Sequence, residues 1–201
     1  MASGRSIAAF AVKFLVIYGA LAASWPLCGE AYAFFLRESG NLLFEAVGAD
    51  HHVRIRPATP PYDEMKDTLL LLRQSASTNW TWTKISSWEV GFLSMSMLVG
   101  LTLGTPLGWY RRVWAFVGGM VVLHAFVLVR LSVVVVAGAI PQVGYDMRDP
   151  FGARVLGMIV TNFTVNPAVS CFVPVLIWLA VTMRREDAWR LVASTQKKVT
   201  A

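Results

Sequence analysis

The chain has 201 residues, 56% of them hydrophobic and 15% charged, and its mean hydropathy is +0.55. A soluble domain of this length does not carry so much apolar surface, so lipid must cover part of it. The formal net charge of +6 would suit nucleic acid, but the basic residues gather at a few loops and a tail instead of forming a stripe, which argues against that class of partner. Cys28 and Cys171 stand far apart with no further Cys or His at ligand spacing, so no disulfide framework, metal site or cofactor is expected.

In chain order, residues 7–25 form a first apolar segment with Lys13 near its start, where the side chain can snorkel to the interface, and Pro26 closes it. Arg5 and Lys13 before a short apolar run and small residues also resemble a secretory signal. An uncleaved helix is the plainer reading, and both send the next segment to the same side. Residues 28–48 alternate apolar residues at helical spacing with Glu30, Arg37, Glu38 and Glu45, which fits an amphipathic helix lying at an interface or an ordinary packed one. Beyond Gly48 the period shortens to two. VRIR at 53–56, TLLLLRQ at 68–74 and NWTWTK at 79–84 predict a small antiparallel sheet of two or three strands, too small to fold without support from helices.

Residues 90–109, 113–140 and 155–183 are each long enough to cross a hydrocarbon core of ~20 helical residues. Pro167 and Pro174 predict a kink in the last of them. The expected fold is therefore membrane all-α, with four transmembrane helices and a small outer, periplasmic-side α+β loop domain between helices 1 and 2. The divisions are residues 1–27 (first helix), 28–89 (loop domain), 90–183 (three-helix membrane region) and 184–201 (basic tail). Arg5, Arg111, Arg112, Arg184, Arg185, Arg190, Lys197 and Lys198 face few acids, whereas the basic residues of the intervening loops are balanced by acids. That asymmetry predicts cytoplasmic N- and C-termini. Trp80, Trp82, Trp88, Trp109 and Trp114 fall near the expected interfaces, where indole rings anchor a protein.

Arg130 is the most informative residue. An arginine in the middle of a span costs roughly 2.5 to 3.5 kcal/mol on insertion scales, so it must face protein or water and find partners. It sits ~15 Å below the outer end of its helix by helical rise. Thr161 and Asn162 reach a similar depth from the fourth segment, Asn166 lies a turn deeper, and Glu89 stands at the mouth of the second. These groups predict a polar intramembrane cluster opening outward, which could be a site or could merely fix helix packing. His124, six positions before Arg130, points elsewhere on an ideal helix and is expected to be a packing hydrogen-bonder.

The run RRVWAFVGGMVVLHAFVLVR, residues 111–130, resembles a segment of the exosortase and archaeosortase family of membrane-embedded sorting transpeptidases, in which a basic pair, a long apolar helix and an arginine occur at this sort of spacing. The resemblance covers about a quarter of the chain and maps the family arginine onto Arg130. In that family the arginine works with a cysteine at the start of the preceding helix and a later histidine. The cysteine would fall within SSWEVG, residues 86–91, where there is none, and no histidine follows Arg130. Without a thiolate the acyl-enzyme has no route of formation. The resemblance thus implies a non-catalytic, exosortase-associated membrane protein of the bacterial inner membrane, an accessory in envelope protein sorting or export with a sorting enzyme as partner. Two alternatives remain open: an enzyme with another nucleophile, for which Ser86, Ser87 or Glu89 would have to approach Arg130, and a transport or assembly subunit.

Overall fold

A computed structural model describes residues 4–49, 51–58, 66–73, 80–139, 158 and 166–183. Helix α1 (Gly4–Ala23) is followed almost at once by α2 (Trp25–Ala46), and the two axes meet at 76°. The break is local in origin. Pro26 occupies the first turn of α2, where its missing N–H costs nothing, while its ring prevents α1 from continuing. Strands β1 (Val53–Pro57), β2 (Thr68–Arg73) and β3 (Trp80–Ile85) follow, then a π-helical turn (Trp88–Phe92) leading into α3 (Leu93–Gly104), then α4 (Trp109–Ala139) and α5 (Pro167–Thr182).

The three strands fall where the alternation places them and form one antiparallel sheet in the order β1-β2-β3. Ile55 pairs with Leu70 and Leu70 with Thr83. Val53, Ile55, Leu70, Leu72 and Ile85 share one face and bury it against Phe44 of α2 and Leu131 and Val135 of α4. A three-stranded sheet cannot bury both faces by itself, so the end of the longest helix supplies its core. The free edge of β1 is closed by α2, because the Asn41 side chain accepts from Ile55 N (2.9 Å) and donates to Ile55 O (3.1 Å), as a neighbouring strand would.

The four expected membrane spans are not all present. Only α4 is long and apolar enough, over Trp109–Val135, and the count among the described residues rises to two only if α1 and α2 are taken together as one broken span. The segment expected at 90–109 yields an apolar helical run, Trp88–Gly104, that falls short of the required length. It is cut off where Thr105 turns extended ahead of Pro106. Within the segment expected at 155–183, Met158 is helical, and a separate helix, Pro167–Thr182, starts where the Asn166 side chain accepts from Ala168 N at 2.9 Å; it too is shorter than a span. Apolar composition alone therefore overstated the lengths of these helices, since it registers neither a cap nor a proline turn.

Helices α2, α3 and α5 pack against α4, and α1 packs against α3. α1 runs antiparallel to α3, with Phe14 and Tyr18 against Gly100 and Phe10 against Gly104. Leu98, Leu123 and Ile177 form a second core between α3, α4 and α5. At the end of the bundle where α4 begins, Trp178 donates its indole N–H to Thr105 Oγ1 (2.9 Å), Phe10 stacks on Trp178, and Arg111 donates to Thr182 O (3.2 Å). Trp88 turns inward, meeting Trp25 edge-on at 5.2 Å, whereas Trp109 and Trp114 stay exposed.

Candidate functional site: the buried Arg130 cluster

Arg130 is 2% exposed and is the largest fully buried side chain among the described residues. Its surroundings begin with the π-helical turn. There the N–H of Leu93 bonds to Trp88 O, five residues back instead of four, and the widened turn presents carbonyls sideways. Arg130 Nη1 donates to two of them, Val90 O at 3.3 Å and Glu89 O at 3.4 Å. It also donates to Ser170 Oγ at 2.8 Å. That hydroxyl in turn donates to Glu89 O (3.1 Å), and Ser94 Oγ of α3 donates to Ser170 O (2.8 Å). The arginine of α4 therefore ties α3 and its π-turn to α5 through a network of buried hydrogen bonds.

A second polar layer fixes the start of the π-turn against the sheet. Asp67 Oδ1 accepts from Ser87 N (2.9 Å), Ser87 Oγ lies 3.0 Å from Thr68 Oγ1, and Ser86 Oγ accepts from Glu89 N (3.3 Å). Thr68, Ser86 and Ser87 are all buried. The Ser86 hydroxyl holds backbone as a cap does, while the Thr68 and Ser87 hydroxyls bond each other. Gly91 within the turn has no room for a side chain, since a Cβ there would meet the Tyr32 hydroxyl of α2.

The residues expected to cluster around Arg130 divide. Glu89 does come to it, through its backbone carbonyl and through the charge of its carboxylate, although the residue as a whole is exposed. Asn166 is spent on capping α5 instead of standing inside a helix. Thr161 and Asn162 lie outside the described residues. His124 points away from Arg130, as helical geometry requires: it packs beside Phe35 with ring centroids 4.7 Å apart and borders an apolar cavity of about 410 Å³ with Tyr32, Met95 and Met120. Ser170 and Ser94 were the missed members. The signal available for them was small hydroxyl residues inside otherwise apolar helices, the usual means of interhelical hydrogen bonding.

Neither cysteine is among the partners described for Arg130, although Cys171 directly follows Ser170 in the chain. Cys28 Sγ sits 3.3 Å from Ser24 Oγ and donates to Ser24 O, and Cys171 is exposed. Among the described residues no group of His, Cys, Asp and Glu is placed to hold a metal ion. Another buried arginine, Arg37 of α2, donates to Glu30 Oε1 at 2.6 Å two turns earlier on the same helix. Comparisons with protein-family models, curated proteins and solved structures find no match to this chain.

Proposed function

We propose that the protein is a non-catalytic, exosortase-like integral membrane protein of the bacterial cytoplasmic membrane, an accessory in envelope protein sorting or export with a sorting enzyme as its partner. The carrying observation is the way Arg130 is used. Its guanidinium donates to Ser170 and to two backbone carbonyls, and neither thiol nor imidazole is among the contacts described around it. Ser170 is a poor substitute nucleophile, because its proton is given to Glu89 O and no described base adjoins it. The Ser86 hydroxyl accepts from Glu89 N, and the Ser87 hydroxyl is hydrogen-bonded to Thr68 Oγ1. An arginine arranged in this way holds helices together and leaves partner recognition to the surface.

One helix long and apolar enough to cross a membrane supports the membrane assignment. The proposed cytoplasmic placement of both termini is supported by charge and by packing. Arg111 and Arg112 open α4 with no acid in its first turn, and the Phe10 region of α1 and the Thr182 end of α5 gather at that same end. Cysteine substitution tests it. In the variant Gly108→Cys, at a position with open space around it, the thiol should react with an impermeant reagent only after cells are opened, whereas in Lys66→Cys it should react in intact cells. The reverse pattern overturns the orientation. For the function, deletion of the protein should release sorted proteins from the envelope, and the purified protein should leave a sorting-signal peptide uncut. Cleavage by the purified chain would reject the non-catalytic reading.

A further inference from the structure

One face of the sheet is buried against helices, and the opposite face has a composition that the proposed function does not use. The register aligns Arg54, Leu71 and Trp82 in one row across the three strands, Arg56, Leu69 and Lys84 in the next, and Arg73 beside Trp80. Side chains at these positions share a face because the strand period is two. That face carries four cations and two indoles, and the strands contain no acid. Arg54, Arg56 and Arg73 are exposed, Trp82 is 63% exposed, and the Arg54 and Arg73 guanidinium carbons stand 5.9 and 6.0 Å from the centre of the Trp80 ring. Glu45 of α2 lines a groove at the β1 edge with Arg54 and Arg56, yet among the described residues no ion pair joins it to either.

The depth of this face follows from its other side. The apolar stretch Trp109–Val135 of α4 has 27 residues, ~40 Å of helix, against a hydrocarbon core of ~30 Å. Its last turn therefore emerges among headgroups. Leu131 and Val135, on the last two turns of that stretch, are the residues of α4 that the sheet covers. The sheet thus stands beside the helix at headgroup level, and the face turned away from the helix looks sideways into that layer. Indole rings are favoured there, and guanidinium groups bind phosphate oxygens in bidentate fashion.

We propose that the face formed by Arg54, Arg56, Arg73, Trp80 and Trp82 is a contact surface for the phosphate headgroups of anionic phospholipids. Two observations select lipid over an acidic protein: the depth set by Leu131 and Val135, and the exposed Trp82 at the centre of a cationic face. Each arginine near an anionic surface strengthens attraction roughly fivefold at moderate salt. The inference rests on the membrane assignment of α4 and is independent of any role in sorting.

The test uses the full chain reconstituted in phosphatidylcholine vesicles containing one third phosphatidylglycerol, with bromine placed high on the acyl chains of one lipid or the other. The Trp82 signal is the difference between the wild type and Trp82→Phe. Brominated phosphatidylglycerol should quench it at least threefold more, per mole, than brominated phosphatidylcholine. That preference should shrink in 1 M salt, where screening acts within ~3 Å, and in the triple variant Arg54→Gln, Arg56→Gln, Arg73→Gln. Equal quenching by both lipids in the wild type overturns the proposal. So does a Trp82 that no lipid quenches but aqueous iodide does, a result that would favour an acidic protein on this face. A chain that fails to float with the vesicles removes the membrane assignment itself, and flotation reads that separately from quenching.

Discussion

Replacing Arg130 by alanine distinguishes a structural arginine from a recognition group. The substitution removes a donor that meets Ser170 Oγ at 2.8 Å, Val90 O at 3.3 Å and Glu89 O at 3.4 Å. Glu89 O keeps the Ser170 hydroxyl as a partner, but Val90 O loses the bond from the guanidinium, and a space the size of that group opens in a site that is 2% exposed. Hydrogen bonds from a charged donor contribute ~1.5–3 kcal/mol each, offset in part by the desolvation of the arginine itself. The net loss should be about 3–5 kcal/mol, equivalent to a fall of roughly 6–20 °C in the unfolding midpoint for a chain of this size. Lysine should lose least, because it keeps one donor. Methionine should fall between, because it fills the space but donates to none of the three oxygens. Heating the detergent-solubilised variants and measuring the monodisperse fraction by fluorescence-detected chromatography gives the midpoints. An Arg130→Ala protein within ~2 °C of the wild type that no longer associates with its sorting partner would refute the structural reading and make the arginine a ligand for an incoming carboxylate.

Asn41→Leu removes both bonds to Ile55 and should accelerate hydrogen exchange of the Ile55 amide at least tenfold, with a stability loss of ~1–3 kcal/mol; an unchanged exchange rate would show that the β1 edge is protected by something else. Gly91→Ala should destabilise by ~1–3 kcal/mol through collision with the Tyr32 hydroxyl, and adding Tyr32→Phe should recover part of the loss in thermal melts. No recovery would mean that the π-turn backbone, not Tyr32, rejects the side chain. The double variant Cys28→Ser, Cys171→Ser should support sorting at wild-type levels, since the Cys28 thiol is hydrogen-bonded to Ser24 and Cys171 is exposed; loss of sorting at normal protein levels would reveal a catalytic cysteine.

The sequence by itself determined the elements whose patterns are local. Period-two alternation located β1 and β3 with the apolar run of β2 between them, Pro26 marked the break between α1 and α2, and the long apolar run interrupted only by His124 and Arg130 marked α4. It also required that Arg130 be buried among partners, because the cost of leaving it in lipid depends only on its charge. What it could not supply was the identity of those partners. Backbone carbonyls carry no sequence signature, and Glu89 and Val90 meet Arg130 only because a π-turn widens the helix at that point. Asn166, suited by composition to an interhelical bond, went instead to its own backbone, the nearer donor. Tertiary structure likewise decided the helix ends. A hydropathy run adds up apolar residues and is blind to the cap at Asn166 and the extended Thr105, so two runs of adequate composition became helices too short to cross a membrane. The cationic face of the sheet arose in the same way: Arg54, Arg73 and Trp80 are scattered along the chain, and only strand pairing brings them side by side.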